Sequence, residues 1–346
     1  MTLGDLGANV IKIERPGTGD ETRGWGPPFD ERGESAYYLS VNRNKLSLAL
    51  DIDVQKDLRI LEQLIRGADV VVDNFRPGTL ERRGLNVSDL LTDHRELLWC
   101  TVTGFGPTSP RPGYDFVVQA ESGWMAITGE PRGDPMKVGV ALADVLAGKD
   151  ATISILAGLA SRGRGRSAAE RRTFVSLAAS AVAALVNVAQ NALVSGQYPA
   201  RWGNAHANLV PYQLFAASDR PIVIAVGSDA QWRGCARALG LDDLAADDRL
   251  TTNAGRIAHR DMIVAAMAAR VGSHPAAHWL AALAHAGVPA GIVRSVPEAL
   301  ADVDASPLTG IAPNAPATVR LPPPKLDEHG PLVRRYGWDA FERLTP

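Results

Sequence analysis

The sequence predicts an α/β protein with a parallel sheet, because strand patterns and helix patterns alternate along its first half. Residues 9–14 form a short apolar extended run, and residues 54–66 carry leucines at helical spacing before a glycine. Residues 70–72 and 97–103 are two more apolar runs, each bounded by polar or glycine residues. This order is typical of βαβ units.

Further elements are predicted along the rest of the chain. Residues 138–143 read as a strand that is followed by a helix over 145–160, and residues 221–226 read as another strand. Residues 174–194 are nearly long enough to cross a bilayer but contain Ser, Asn and Gln, so we expect a buried helix there. Pro322–Pro324 predict an extended tail.

Composition limits the classes of function. With 346 residues the chain is long enough for about two domains at roughly 150 residues each. The net charge of −2 argues against a general nucleic-acid binder, which needs a surplus of Lys and Arg. Cys100 and Cys235 lack metal-ligand spacing, so we expect no disulfide and no metal site. The first residues do not resemble a signal peptide, and we expect a cytoplasmic protein that does not bind membranes.

Asp144 is the first candidate for chemistry. It lies between the predicted strand 138–143 and the predicted helix 145–160, where free backbone N–H groups favour an ionised carboxylate. With an ordinary pKa of about 3.9, it would be charged at neutral pH and able to attack an acyl carbon without a helper base. Helix capping explains an aspartate at this position equally well, and the two roles are compatible.

Two further clusters follow predicted strands. Tyr114 and Asp115, with Gln119 and Glu121, come after a turn rich in Pro and Gly, where an open α/β sheet often places its site. The alternative is a surface turn that leads into a helix. Residues 74–83 contain Asn74, Phe75, Arg76, Arg82 and Arg83. An aromatic ring beside guanidinium groups suits an adenine nucleotide with phosphates, although a helix-initiating turn would look the same.

Three loops are weaker candidates. Residues 11–25 include Arg15 and Trp25, but their glycines lack the spacing of a dinucleotide fingerprint. Residues 203–208 contain Gly203, Asn204 and His206, of which a lone histidine is more often structural. Residues 161–166 read SRGRGR, a basic loop that lacks the closing Gly-Lys-Ser/Thr of a P-loop and is interpreted as a solvated connection.

Taken in order, segments that cover nearly the whole chain resemble one family. The segments are DLGANVIKIERPGTGD, TRGWGPPF, YYLSVNRNKLSLALD, ADVVVDNFRPGTLERRGL, TVTGFG, RPGYDFVVQAESG, ITGEP, VGVALADVLAG, RWGNAHANLVPYQ and GVPAGIV. They are similar to the class III CoA-transferases, the formyl-CoA transferase family, which also has 2-methylacyl-CoA racemase relatives.

The resemblance implies a fold and an assembly. It implies a Rossmann-like large domain with a parallel sheet, a smaller α+β domain, and two subunits interlocked like linked rings in a homodimer. We expect the large domain over 1–195, completed by 305–346, and the small domain over 205–300. The family pattern normally begins with a strand and a turn before the DLGA helix, whereas this sequence starts within that helix; either the assigned start is late or the element is lost.

The resemblance also implies roles for residues. Asp144 matches the catalytic aspartate, which forms a mixed anhydride with the acyl group and then an aspartyl-CoA thioester. The stretches that hold coenzyme A match Arg15, Asn74, Phe75, Arg76 and Arg82, and the stretches that line the acyl site match Trp25, Tyr114, Asp115, Gly203, Asn204 and His206. Acyl-CoA is then a substrate with a small carboxylic acid as its partner, and no cofactor is permanently bound.

The substrate and the reaction remain open at this point. The formate-handling members carry a run of glycines where this chain has residues 206–210. The segment RWGNAHANLVPYQ is closer in sequence to members that act on succinate or glutarate. A racemase needs two acid/base groups, and Tyr114 stands where the racemases place a histidine. A non-catalytic acyl-CoA-binding protein is the third alternative.

Overall fold

The computed structural model describes residues 1–314 and 316–344, which divide into two compact units. The first unit combines Met1–Trp124, Val138–Ala189 and Leu300–Pro346, so both ends of the chain belong to it. The second unit combines Met125–Lys137 and Gln190–Ala299. The domain boundaries given above remain a prediction.

The first unit contains two parallel sheets. The strands of these two sheets are β1 (Ile11–Glu14), β2 (Leu46–Ala49), β3 (Val70–Asp73), β4 (Leu98–Thr103) and β5 (Arg172–Ser176). β1 pairs with β2, with Ile11 opposite Leu46, and a second sheet has the order β3-β4-β5. Mixed α/β architecture with parallel strands is therefore confirmed, and so are the strands expected near residues 9–14, 70–72 and 97–103.

The helices within residues 1–195 come before the sheet of the second unit in the chain. They are α1 (Thr2–Asp5), α2 (Ala36–Asn42), α3 (Gln55–Arg66), α4 (Val87–Asp93), α5 (Asp115–Glu121), α6 (Trp124–Ile127), α7 (Leu142–Ala160), α8 (Leu177–Ala183) and α9 (Val186–Ser195). The leucine spacing predicted α3 correctly, since Leu58, Leu64 and Ile65 are its buried residues.

The second unit is built on an antiparallel sheet of β6 (Tyr212–Ala216), β7 (Pro221–Ala225) and β8 (Ala290–Ile292). Its helices are α10 (Asp229–Ala238), α11 (Asp242–Ala245), α12 (Asn253–Ala258), α13 (Arg260–Val271), α14 (Ala276–His285) and α15 (Val296–Leu300). Trp232, Trp279 and Ile224 are almost completely buried in its core. The chain then returns to the first unit through β9 (Ala305–Ser306), β10 (Gly310–Ile311) and α16 (Gly330–Tyr336).

Helix α7 packs closely against the sheet because its inner face is made of small residues. Ala143, Ala147 and Ala151 are buried in one core cluster, together with Ile155. Further along, a Cβ added at Gly158 would lie 2.7 Å from Leu98 Cδ1 in β4. This close contact fixes the position of α7, and with it the position of Asp144.

Two predictions about this region were wrong. Residues 138–143 form no strand, because the side-chain amide of Gln119 hydrogen-bonds the backbone of Val138 and Val140. Residues 174–194 are not one buried helix: β5 ends at Ser176, and α8 and α9 follow with a bend of 70°. None of the residues of α9 is buried.

Membrane spans were also sought by helix length and hydropathy. Within residues 1–314 and 316–344, no single helix is long and apolar enough to cross a bilayer. The bent pair α8 and α9 meets the two criteria only when its members are taken together.

A buried ion network lies beside β1. Arg23 donates from Nη2 to Glu14 at 2.8 Å and from Nη1 to Glu34 at 2.7 Å, and it also bonds the Tyr38 hydroxyl at 2.6 Å. Burial opposes ionisation of Glu14, but its hydrogen bonds with Arg23 and Ser47 hold its pKa below the ordinary value. The network joins the segment before Trp25 to helix α2.

Replacing Arg23 by Met should destabilise the fold strongly, because the change leaves two buried carboxylates without their cation. We expect a loss of about 3–5 kcal/mol in the free energy of unfolding, measured by urea denaturation. The control is Arg111→Met, which breaks the exposed pair with Glu121 and should lower stability far less, because solvent screens an exposed ion pair. Equal losses in the two variants would show that the Arg23 network does not stabilise the unit.

Candidate active site

Asp144 is the third residue of α7 and is exposed to solvent. The helix begins after Ala141, whose side chain makes no capping hydrogen bond. The expectation that Asp144 follows a strand and caps the helix was therefore wrong. Its carboxylate is not used in capping, so it stays available for chemistry.

Asp115 supplies the missing cap from a neighbouring helix. It is the first residue of α5, and its Oδ1 accepts a hydrogen bond of 2.8 Å from the backbone N–H of Ala143. Its Oδ2 accepts a bond of 2.6 Å from Gln119 Nε2. Both carboxylate oxygens are thus committed to holding the first turn of α7.

Gln119 fixes Asp115 and the segment before α7 at the same time. It is completely buried, its Oε1 accepts the N–H of Val138 at 2.8 Å, and its Nε2 donates to Val140 O at 3.3 Å. Replacing Gln119 would leave buried polar groups unpaired. This one side chain therefore joins α5 to the segment before α7.

The loop that leads into α5 is closed by two glycines. An added Cβ at Gly113 would lie 2.1 Å from Gly104 Cα, so neither position has room for a side chain. The contact holds the start of α5 against the carboxyl end of β4. It therefore sets where Tyr114 and Asp115 begin.

The pKa of Asp144 departs from the sequence-based expectation. Although the Asp144 residue as a whole is exposed, neighbouring protein atoms partly desolvate its carboxyl, and this desolvation, with a smaller contribution from the charge of Asp115, raises its pKa to about 6. We had expected the helix N-terminus to keep it near the ordinary value. At pH 7 about nine tenths of the carboxyl is still ionised, so it remains a nucleophile whose activity falls in mild acid.

Tyr37 was not singled out in the sequence but lies in the same neighbourhood. Burial and the charges of Asp144 and Asp115 raise the pKa of its hydroxyl. The ring of Trp25 meets the Tyr37 ring edge-on at 5.0 Å, and Tyr114 is largely exposed. Tyr37 thus contacts the ring of Trp25 and lies close enough to Asp115 and Asp144 to be affected by their charges. The adjacent pair Tyr37 and Tyr38 was the available signal, but spacing does not show which ring faces inward.

The other predicted acyl-site residues belong to the second unit. The N–H of Gly203 donates to Gly129 O at 3.1 Å, and Asn204 is exposed. His206 Nδ1 accepts the N–H of Asn208 at 3.0 Å, and its ring lies 5.2 Å from that of Tyr212. These bonds give the loop a defined shape.

A cavity of about 250 Å³ opens at the carboxyl ends of β3 and β4, beside the first residues of β5. Phe75 and Arg76 line it, as do Arg172 and Phe174, which the sequence analysis did not identify. The Nε of Arg172 is buried and has no hydrogen-bond partner. An aromatic and cationic lining at the carboxyl edge of a parallel sheet is suited to a nucleotide with phosphates.

Asp73 holds the loop that carries this lining. Its Oδ1 accepts the N–H of Phe75 at 2.9 Å, and its Oδ2 accepts bonds from Trp99 Nε1 at 2.6 Å and Thr101 Oγ1 at 2.8 Å. The loop is therefore anchored to the neighbouring strand β4.

The remaining predicted coenzyme A residues lie outside the cavity lining. Asn74 is exposed next to Phe75, and Arg82 donates to Thr79 Oγ1 at 3.1 Å in a short 3-10 helix. Arg15 is exposed after β1, which belongs to the other parallel sheet. Among residues 1–314 and 316–344, no group of three or more His, Cys, Asp or Glu side chains could hold a metal ion.

Comparison with known proteins places this arrangement in a family. The sequence model of the family described as "CoA-transferase family III" matches residues 1–330. Succinyl-CoA:glutarate CoA-transferase from Mus musculus is 38% identical over 99% of this chain and 84% of its own length. Succinate–glutarate CoA-transferase from Agrobacterium fabrum is 36% identical over 94% of this chain and 88% of its own length.

A solved structure shows the same fold. The crystal structure of a CAIB/BAIF family protein from Brucella suis aligns with a TM-score of 0.83 and 37% identity, covering 96% of this chain and 93% of that one. The chain therefore belongs to CoA-transferase family III. The expected resemblance and the expected enzyme class, a CoA-transferase that uses CoA thioesters as substrates, are confirmed.

Replacing Asp115 by Asn should lower the pKa of Asp144, because it removes the negative charge that helps to raise it. A lower pKa keeps Asp144 ionised in more acidic solution, so the acid limb of the CoA-exchange profile should move below pH 6. The measurement is exchange rate against pH, with the thermal midpoint recorded because Asn can satisfy only one of the two hydrogen bonds.

The control for this variant is Glu121→Gln. Glu121 also lies in α5, but it pairs with Arg111 at the surface and should leave the acid limb in place. An Asp115→Asn enzyme that folds normally and keeps the wild-type acid limb would exclude the electrostatic coupling of the two carboxyls.

Proposed function

We propose that this protein moves CoA from an acyl-CoA donor to a carboxylic acid acceptor, with short dicarboxylates such as succinate and glutarate as substrates, in the cytoplasm. The relatives from Mus musculus and Agrobacterium fabrum carry names of that activity. The observation that carries the proposal is Asp144, an exposed and largely ionised carboxylate held at the start of a long helix.

In the proposed mechanism, Asp144 acts as the nucleophile in the first step. One carboxylate oxygen attacks the thioester carbon of the donor, the C–S bond breaks, and CoA leaves as its thiolate, which gives a mixed anhydride between the donor acyl group and Asp144. The thiolate then attacks the aspartyl carbonyl carbon and breaks its C–O bond. The donor acid departs, and Asp144 holds CoA as a thioester.

The acceptor carboxylate completes the exchange by the same steps in reverse. It attacks the aspartyl thioester, releases the CoA thiolate and forms a new anhydride. The thiolate attacks the acceptor's acyl carbon, which gives the new acyl-CoA and frees Asp144. Each step exchanges carboxylate and thiolate leaving groups, so little proton transfer is needed and positioning supplies most of the catalysis.

Two features of α7 support this use of Asp144. Asp115 holds the first turn through Ala143, so the nucleophile does not have to be ordered during the reaction. The backbone N–H of Asp144 has no hydrogen-bond partner within the described chain, and it lies at the positive end of the helix. An N–H in this position suits the negative oxygen that develops on an attacked carbonyl.

The cavity beside β3, β4 and β5 is the proposed site for the nucleotide of CoA. Phe75 and Phe174 offer aromatic surface, and Arg76 and Arg172 offer cations for phosphate. Asn74, Arg82 and Arg15 remain proposed contacts for the rest of the nucleotide.

Trp25, Tyr114 and Asp115 of the first unit remain proposed acyl-site residues on the basis of the family resemblance. Gly203, Asn204 and His206 remain proposed acyl-site residues on the same basis. We further propose a Rossmann-like large domain over 1–195 with 305–346, a small domain over 205–300, and an interlocked homodimer.

The racemase alternative requires a second acid/base group beside the substrate. Asp115 is a carboxyl coupled to Asp144, but both of its oxygens accept hydrogen bonds, from Ala143 and from Gln119. Its commitment to structure favours transfer over racemisation. Deuterium exchange at Cα without CoA exchange would instead support the racemase.

Replacing Asp144 by Asn should reduce CoA exchange between succinyl-CoA and glutarate by several orders of magnitude, because an amide cannot attack the thioester. Each tenfold loss corresponds to about 1.36 kcal/mol of barrier. The assay follows glutaryl-CoA by mass spectrometry. Trapping with hydroxylamine should convert Asp144 of the wild-type enzyme to a hydroxamate after incubation with donor.

The matched control is Asp150→Asn, the same change in the same helix. Asp150 accepts a hydrogen bond from Ser180, and Asn can still accept it. This variant should keep exchange close to wild type. Normal turnover in Asp144→Asn would refute the mechanism, and binding of succinyl-CoA with no exchange by the wild type toward any carboxylate would favour the non-catalytic alternative.

Replacing Arg76 by Ala should weaken binding of the CoA thioester while leaving the chemical step nearly unchanged. Loss of one charge-assisted hydrogen bond to phosphate, worth about 1.5–3 kcal/mol, predicts a KM raised about tenfold to hundredfold. Arg59→Ala, an exposed arginine of α3, is the control and should leave KM unaltered. A fall in kcat with unchanged KM would place the nucleotide elsewhere.

A further inference from the structure

A basic loop leaves α7 at the end opposite Asp144. Residues 161–166, here called the arginine loop, read Ser-Arg-Gly-Arg-Gly-Arg and follow Ala160. Sixteen residues of helix separate Asp144 from Ala160, which is about 24 Å at 1.5 Å per residue. The arginine loop is therefore distant from the proposed nucleophile.

Two adjoining cavities lie against this loop. Their volumes are about 470 and 490 Å³, and both are lined by Leu98, Gly158, Ser161 and Arg166. Volumes in this range are typical of small-molecule sites. The cavities contain apolar surface from Leu98 and Ile155 as well as polar groups, so the site is not a purely charged surface.

Cations outnumber anions in the lining. Five arginines and two glutamates line the two cavities; the arginines are Arg95, Arg162, Arg164, Arg166 and Arg171, and the glutamates are Glu96 and Glu170. Glu170 already accepts hydrogen bonds from the N–H and hydroxyl of Ser167. The lining thus carries a formal excess of three positive charges, one of which is balanced by the pairing of Arg162 with Asp69, in a chain whose net charge is −2.

Several of these guanidinium groups have unused hydrogen-bonding capacity. Arg162 pairs with Asp69 at 2.7 Å, and Arg171 donates to the carbonyls of His94 and Leu97, yet the Nε of both arginines is buried without a partner. Arg95, Arg164 and Arg166 form no salt bridge with any residue of the described ranges, and all three are exposed.

Glycines give the arginine loop its shape. Gly163 and Gly165 have φ of +75° and +68°, values that side chains rarely adopt. They alternate with Arg162, Arg164 and Arg166 in the sequence. Gly163 and Gly165 also line the 470 Å³ cavity themselves, where a backbone without side chains permits close approach of a ligand.

We propose that the arginine loop and these cavities form a second anion site, which binds a phosphate-bearing small molecule with a flat or apolar remainder, such as a purine nucleotide. The planar fork of a guanidinium matches phosphate oxygens in pairs, which a lysine does not do. The apolar part of the 490 Å³ cavity, which includes the exposed Ala157 beside the buried Leu98 and Ile155, receives the remainder of the ligand. This site is separate from the cavity that contains Arg76.

The test measures binding of ATP and of inorganic pyrophosphate by calorimetry at physiological ionic strength. Both are measured in the Arg76→Ala background, so that binding at the proposed CoA cavity is weakened. We expect ATP to bind, and we expect Arg164→Ala with Arg166→Ala to weaken it at least tenfold. Pyrophosphate reports on the phosphate contacts alone and should bind more weakly than ATP.

The control is Arg233→Ala with Arg237→Ala, two exposed arginines of α10 in the second unit. It should leave ATP binding unchanged, and the loop variant should retain CoA exchange when made in the otherwise wild-type enzyme. Equal ATP affinity in the loop variant and its parent, or an equal loss in the control, would overturn the proposal. Loss of CoA exchange in the loop variant would overturn the independence of the two sites.

Discussion

The hydrogen bond between the N–H of Ala143 and the carboxylate of Asp115 determines how α7 begins. The helix has no cap of its own, so a residue from α5 takes that role and brings a negative charge close to Asp144. One interaction therefore has two effects. It orders the turn that carries the proposed nucleophile, and it helps to keep the pKa of that nucleophile within reach of neutral pH.

This arrangement depends on packing far from the carboxylates. The small residues of α7 let the helix approach β4, and Gly104 against Gly113 holds the start of α5 at the end of the same strand. Both carboxyl groups are thus positioned by contacts with one sheet. The cavity at the carboxyl edge of that sheet is proposed to hold the CoA nucleotide, in keeping with where open α/β sheets bind ligands.

Much of the fold was predictable from local patterns. Apolar runs and leucine spacing identified β1, α3, β3, β4 and β7 with small errors at their ends. The region around the site was less predictable. Residues 138–143 have the apolar pattern of a strand, but the buried amide of Gln119 occupies their backbone groups, and that contact depends on tertiary structure. The strand pattern of β5 was obscured because apolar residues continue into α8.

The residues of the candidate site were also only partly predictable from the sequence. Asp144, Asp115 and Trp25 were selected from sequence, whereas Tyr37, Arg172 and Phe174 were not, because their roles depend on which side chains face a shared space. The pKa of Asp144 was also unpredictable, since the helix N-terminus was expected to favour the charged form and burial opposes it. Residue type and order predicted the proposed chemistry, and the fold determined the environment of its residues.

The most direct test of covalent catalysis by Asp144 is oxygen transfer from acceptor to enzyme. The enzyme is incubated with succinyl-CoA and glutarate labelled with ¹⁸O in its carboxylates, and the peptide that contains Asp144 is then weighed. A mixed anhydride leaves one acceptor oxygen on the aspartate, so we predict ¹⁸O in that side chain after turnover. Glutaryl-CoA formation with no label at Asp144 would contradict the account.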